Sequence, residues 1–384
     1  MHLLFSTRDE KKSRDTLARL NQHLQKTLRE ANGKTLGISL LLEARVKIEG
    51  VLVDLTDLLS VKRLAGELRQ RGEKLDAVVW NAGIGGWTGK NWIQAVWTIL
   101  TGIKQATCYP IFQYSDVGAL APQKGVKDDG GEAGKLGQVF TANVFGHYML
   151  THWLAPLFTR DSRIVWTGSV SGLPKFFSRE DMQCLRATDA YESSKRLTDI
   201  LVLTSDLPST AAYRRGFLPG EEKPAMYLTH PGIVKTSISD VPWVLEYFML
   251  LFLYISRWLG SPWLLISPYK AAVSACFCVL CPESQIPGRE QQEGKAKWGS
   301  VTDQWGNESV KRTEVEGWGW NGKVGQVPPG SCVKGRFSGL KDTDKENREE
   351  FEVLGREVWR ELEELREAWE ERLGSAQSGE RDEL

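Results

Sequence analysis

Short apolar runs alternate with amphipathic stretches through the first third of this chain. That rhythm constrains the fold more than any other feature. Leu3-Leu-Phe5 reads as a strand, Arg14 to Arg29 as an amphipathic helix, and Lys47-Ile-Glu-Gly-Val-Leu-Val-Asp54 as the next strand. A helix over Val61 to Arg71 and a strand over Leu75 to Trp80 continue it. Strands separated by helices pair in parallel and are covered on both faces, so the pattern predicts an α/β fold with a Rossmann-like, doubly wound parallel sheet in three α/β/α layers. With 384 residues, 41% of them hydrophobic, the chain can bury one large core plus an appendage.

Later segments carry candidate chemistry. Ile164-Val-Trp166 reads as a buried strand leading to Ser169, and Tyr191 to about Leu203 reads as a helix. Spacing i, i+4 places Tyr191 and Lys195 on one helix face. A free phenol titrates near ~10, and a neighbouring cation favours its phenolate, so Lys195 is expected to lower the Tyr191 pKa and make it a general acid. Ser169, Tyr191 and Lys195 are the parts a ketone reductase needs. Tyr-x-x-x-Lys alone is a weak signal, since such pairs arise by chance on solvated helix faces. Here the pair falls in sequence order with Asp54, Asn81-Ala82-Gly83, Asn143 in Ala142-Asn-Val-Phe-Gly-His-Tyr148, and Pro231-Gly-Ile-Val-Lys-Thr236.

This ordered set resembles the short-chain dehydrogenase/reductase family over roughly residues 1 to 305. Longer phrases are similar to the branch that reduces 3-ketosterols in fungal ergosterol synthesis, at sterol C-4 demethylation. They include Gly85-Gly-Trp-Thr-Gly-Lys-Asn-Trp92, Trp298-Gly-Ser-Val-Thr-Asp-Gln-Trp-Gly306 and Thr313-Glu-Val-Glu-Gly-Trp-Gly-Trp320. The resemblance implies reduction of a 3-ketosterol to the 3β-alcohol, with Ser169 rather than Ser171 holding the carbonyl oxygen, Tyr191 protonating it, Lys195 positioning the cofactor, and Asn143 supporting a water relay. It further implies cofactor contacts at Asp54, at Asn81, Ala82 and Gly83, at Tyr191 and Lys195, and at Pro231, Gly232, Val234 and Thr236. Arg8, following the strand expected to read the adenosine ribose, suits a 2′-phosphate and favours NADPH; an ordinary surface arginine is the plain alternative. By the same resemblance the location is the cytosolic face of the endoplasmic-reticulum membrane and lipid droplets, and the partners are lanosterol synthase and the other C-4 demethylation enzymes. A reductase of another lipophilic ketone and a non-catalytic scaffold remain open alternatives.

One part of the family pattern is missing. A first strand with a Gly-rich turn should precede Leu3-Leu-Phe5, and nothing before His2 supplies it. The chain is therefore expected to be truncated at its N-terminus, through an upstream coding segment missed in the gene model or as a genuine short product without reductase activity. In this fold that strand lies mid-sheet, so its loss would leave unpaired backbone groups.

The remaining segments read as follows. An insertion over 84–138 carries Trp87, Trp92 and Trp97 near the expected substrate mouth, then a Gly/Asp-rich stretch, Lys127 to Gly134, expected to be mobile. Within the apolar stretch 241–266 the uninterrupted core, Tyr247 to Ile255, is far shorter than the ~20 residues needed to span a bilayer, Arg257, Gly260 and Pro262 break the pattern, and the tryptophans suit both a pocket lid and an interfacial anchor. An extension over 306–384 holds an amphipathic helix, about 345–373, with Phe351, Leu354, Val358, Leu362, Leu365, Trp369 and Leu373 at steps of three and four. Equal counts of 49 acidic and 49 basic residues give no electrostatic case for nucleic acid. Six scattered cysteines suit a reducing compartment, and Cys276-x-Cys-x-x-Cys281 in an apolar run reads as structural thiols rather than a metal site. The ending Arg381-Asp-Glu-Leu384 resembles a luminal retrieval signal; without an apolar leader at Met1 it reads as coincidence.

Overall fold

A computed structural model describes residues 1–34, 43–110, 112–124, 126, 134–220, 224–234, 243–282 and 285–382. Its elements in chain order begin β1 (His2–Thr7), α1 (Glu10–Lys34), β2 (Lys47–Leu52), α2 (Leu58–Arg71) and β3 (Ala77–Trp80). The insertion forms β4 (Trp87–Lys90), α3 (Trp92–Cys108) and β5 (Gln113–Ser115). Next come α4 (Gly146–Trp153), β6 (Arg163–Thr167), α5 (Ala190–Leu203), α6 (Ala211–Phe217), β7 (Ala225–His230) and β8 (Ile233–Val234). The chain continues through α7 (Trp243–Trp258), β9 (Leu264–Ile266), α8 (Val273–Leu280), β10 (Lys297–Thr302), β11 (Glu308–Thr313) and α9 (Lys345–Asp382).

The main sheet has the order β11-β10-β7-β6-β3, with β3, β6, β7 and β10 parallel and β11 antiparallel at one edge. Ile164, Val165 and Trp166 are at most 1% exposed because helices cover both sheet faces, which is why this strand reads as a continuous apolar run. One face packs against α2, α4, α5 and α9. On the other, α8 places Cys278 and Cys281 against Val165, Tyr227 and Trp298, while Cys276 is exposed. Among the described residues no three His, Cys, Asp or Glu side chains gather to hold a metal.

The sheet is broken on its other side. β1 and β2 pair in parallel as a separate two-stranded sheet, and among the described residues no ladder joins β1 to β3. The break falls where the family pattern expects one further strand. Leu3 of β1 and Val79 of β3 are each 39% exposed.

The boundaries expected at residues 305 and 373 are corrected. The core does not stop at residue 305: β11 lies beyond it and completes the sheet, and α9 docks on the core through Phe351, Val358, Trp359, Leu362, Trp369 and Leu373. The helix also runs past residue 373, to Asp382. Its packing is tied by the buried Tyr148 hydroxyl, which donates to Glu363 Oε1 at 2.6 Å. The insertion also differs from expectation. Trp87 turns inward, but Trp92 and Trp97 project outward from α3. Most of the Gly/Asp-rich stretch lies outside the described residues.

Candidate active site

The site is assembled at the C-terminal ends of β3, β6 and β7, where open α/β sheets place their ligands. After β6 the chain turns at Gly168, whose N–H donates to Thr229 O at 2.7 Å, and delivers Ser169 beside the start of α5. The Ser169 hydroxyl accepts from the Ser171 N–H at 3.1 Å and favours ionisation of the Tyr191 phenol. Lys195 lies one turn along, its ammonium 5.6 Å from the centroid of the Tyr191 ring and donating to Thr167 O at 2.8 Å. The structure thus brings Ser169, Tyr191 and Lys195 together. Trp87 covers the phenol, ring centroids 4.9 Å apart.

Asn143 sits in a π-turn (Thr141–Phe145) just before α4, a geometry that often marks functional positions. Its side-chain amide donates to Ile84 O at 3.0 Å and to Ser194 Oγ at 3.0 Å, and its Oδ1 accepts from the Ile84 N–H at 2.8 Å. The amide therefore clamps the loop after β3 to α5. A Cβ at Gly83 would come 2.7 Å from Asn143 Oδ1, so a larger residue there would have to displace the Asn143 amide. The Asn143 carbonyl lies 3.2 Å from His147 Nδ1. Asn81, Ala82 and Gly83 form an exposed loop.

Past β7, Gly232 adopts φ +68°, and a Cβ there would meet Trp263 O at 2.5 Å. Pro231 precedes this turn and Val234 pairs with Ile266 of β9; Thr236 lies outside the described residues. Arg8 and Asp54 follow the two strands of the separate β1–β2 sheet. Asp54 Oδ1 accepts from the Thr56 hydroxyl and N–H at 2.6 and 3.0 Å, closing the turn into α2. Arg8 follows β1 directly, and the carboxylate of Asp9 is engaged with the Lys12 N–H at the start of α1.

The electrostatics depart from the expectation for Tyr191. Burial pushes its phenol up to about 12, partly opposed by the Ser169 hydroxyl. Lys195 does not reverse this, because its ammonium is directed to the Thr167 carbonyl. Burial instead lowers Lys195 to about 8, with Asp199 raising it and Lys297 lowering it further. Asp199 and Lys297 escaped the sequence reading. Lys297 Nζ donates to Ser169 O at 2.6 Å and to Asp199 Oδ2 at 2.5 Å. A signal for Asp199 was present in its position four residues beyond Lys195, on the same helix face and just before the apolar run Ile200-Leu-Val-Leu203. Lys297 lies 128 residues from Ser169 and carried no such signal.

No family model matches the chain. Among curated proteins, the 3-keto-steroid reductase erg27 of Aspergillus fumigatus is 38% identical, the alignment covering 98% of this chain and 88% of that protein. The 3-keto-steroid reductase ERG27 of Gibberella zeae is 36% identical over 97% of this chain and 88% of its own length. The chain belongs to the 3-keto-steroid reductase family. A third member, from Schizosaccharomyces pombe, is 33% identical over 71% of this chain and 73% of that protein. Among solved structures, a short-chain dehydrogenase/reductase from Burkholderia phymatum in complex with NAD aligns over 72% of this chain at 17% identity with a TM-score of 0.36, too weak a likeness to carry an assignment.

Proposed function

We propose that this chain reduces the carbonyl of a 3-ketosterol to the 3β-hydroxyl with NADPH, in sterol C-4 demethylation. The observation that carries the reading is the convergence of Ser169, Tyr191 and Lys195 in a chain that aligns over nearly its whole length with 3-keto-steroid reductases. The reacting end fits a nicotinamide group. A Cβ at Gly83 would have to displace the Asn143 amide, Gly232 holds a left-handed turn, and Tyr191 and Lys195 stand between them in sequence. Asn81 to Gly83, Lys195 and Pro231 to Val234 would hold that end, and Arg8 and Asp54 the adenosine end, with Arg8 favouring a 2′-phosphate. When bound, the reduced dinucleotide supplies the hydride for C3 of the sterol.

The chain's own residues supply the rest. Ser169 donates a hydrogen bond to the carbonyl oxygen and stabilises the charge that develops there. Tyr191 transfers its phenolic proton to that oxygen. A phenol titrating at about 12 stays protonated through the neutral range and is a far stronger acid than the secondary alcohol it forms. The Lys195 ammonium stabilises the tyrosinate left behind. Turnover of a 3-ketosterol with NADPH, followed by mass spectrometry, should yield the 3β-alcohol. Reduction of retinoid or fatty acyl ketones without sterol product would overturn the sterol reading, and partner binding without NADPH binding would favour the scaffold. Arg8→Glu should lower the preference for NADPH over NADH; an unchanged ratio would remove Arg8 from the cofactor site.

We extend this proposal to a membrane surface, on the cytosolic face of the endoplasmic reticulum or a lipid droplet, where the other C-4 demethylation enzymes and lanosterol synthase would be neighbours. No described helix is long and apolar enough to cross a membrane. Helices α3 and α7 pack together, with the Thr107 hydroxyl donating to Ser256 Oγ at 2.7 Å. Between them they expose Ile93 (86%), Trp97 (67%), Leu100 (77%) and Trp258 (61%). Large apolar side chains clustered on a surface mark a docking face, and tryptophan favours the headgroup level. The protein should co-float with phosphatidylcholine/phosphatidylserine vesicles, and Trp97→Glu with Leu100→Glu should abolish flotation while turnover of detergent-dispersed sterol persists. Flotation unchanged in the double variant would exclude this face.

A further inference from the structure

The most unusual feature outside the reacting groups is a buried charge cluster beneath them. Asp199 is fully buried on α5, one turn past Lys195, and Lys297 opens β10 with 3% of its side chain exposed. Their contacts tie three elements together at one point: α5, β10 and the loop that carries Ser169. The loop is moulded to the carboxylate. A Cβ at Gly168 would lie 2.7 Å from Asp199 Oδ1, and one at Gly172 would lie 3.0 Å from Asp199 Oδ2. A buried ion pair often adds little stability compared with apolar side chains of the same volume, so its placement against the reacting serine calls for another reason.

We propose that Asp199 and Lys297 are positioning residues for the reduction: Lys297 fixes the Ser169 backbone by its carbonyl, and Asp199 holds Lys297 and balances the positive charge crowded around Lys195. This rests on the reductase reading above. The groups acting on the pair are Lys195 and Arg196 from α5 and His230 from β7; His147 of α4 acts on Lys195, and Glu316, in the segment after β11, acts on Arg196, its carbonyl accepting from the Arg196 guanidinium at 3.0 Å. Asp199 is thus the carboxylate set directly among Lys195, Arg196 and Lys297, and it raises the Lys195 pKa whereas Lys297 lowers it.

The two members therefore act on Lys195 in opposite directions. Turnover requires the Lys195 ammonium, so the rate should fall as pH rises through about 8. Asp199→Asn removes the balancing charge and should move that fall to lower pH, by about one unit or more. Lys297→Met removes a competing cation and should move it to higher pH. It also frees the Ser169 carbonyl, so kcat should drop about 10–100-fold with KM little changed. A merely structural pair would depress both variants without moving the limb, or would move it the same way in both, and either result overturns the proposal. Titrating ¹³Cε-labelled lysine by NMR in the ligand-free protein, assigned with Lys195→Gln, reads the same shifts without turnover. If the opposed NMR shifts occur but no ketone is reduced, the reductase reading fails and the charge balance stands. If wild-type protein reduces sterol and the limb stays fixed in both variants, the pair is excluded. Should a single variant not fold, Asp199→Asn/Lys297→Met removes both charges together. It should lose kcat with the alkaline limb near its wild-type position, and full activity in it would overturn the proposal.

Discussion

Replacing Tyr191 by phenylalanine is expected to lower kcat for 3-ketosterol reduction by about 10²–10⁴-fold, the range associated with loss of a positioned proton donor. The substitution removes one oxygen and leaves the ring. Phenylalanine keeps the tilted ring contact with Trp87 at 4.9 Å and the place of the helix start, so folding and sterol binding should survive. What is lost is the only group in the cluster that combines a transferable proton, contact with the Ser169 hydroxyl and a neighbouring ammonium. Steady-state kinetics of the variant, with circular dichroism as a check on fold, decide the matter. A loss of less than tenfold would mean that water or Ser169 protonates the alkoxide, and Tyr191 would have to be withdrawn as the acid.

The second large effect is on stability. Trp359→Ala in α9 is expected to reduce the unfolding free energy by about 3–5 kcal/mol, the usual cost of truncating a fully buried large aromatic. The Trp359 side chain is 0% exposed and meets Phe217 with ring centroids at 5.5 Å and Tyr148 at 6.1 Å. Its indole N–H donates to Leu201 O at 3.1 Å, near the C-terminal end of α5, where helix carbonyls lack intrahelical partners. The same substitution therefore opens a cavity and strips a hydrogen bond from the helix that carries Tyr191 and Lys195. Urea denaturation followed by tryptophan fluorescence and circular dichroism should show the change. A loss below about 1 kcal/mol would mean that α9 docks loosely and contributes little to the core.

The local parts of the site were legible because they are written at short range. Tyr191 and Lys195 sit four residues apart on a helix, Ser169 ends an apolar strand, and the amphipathic stripe of α9 repeats at helical spacing. Each can be read from a window of about 20 residues. Trp359 was missed even so, because its burial follows from packing against Phe217 and not from the stripe alone. The polarity of Tyr191 was misjudged for a related reason. An i, i+4 lysine was expected to lower its pKa, yet burial under Trp87 and the capture of Lys195 by the Thr167 carbonyl leave it raised. Desolvation depends on everything packed around a group, and a sequence window cannot sum it.

The same division holds for the whole protein. Periodicity by itself pointed to an α/β core and to Tyr191 and Lys195 on one helix face, because side-chain spacing along a helix or strand is fixed by local geometry, and the order of the motifs carried the resemblance to the family. Only the tertiary structure decided that β11 and α9 belong to the core, and that Lys297 reaches Ser169 and Asp199 across 128 and 98 residues. Those outcomes depend on contacts between distant segments, whose geometry is set by the packing of the whole chain and leaves no periodic trace in either partner.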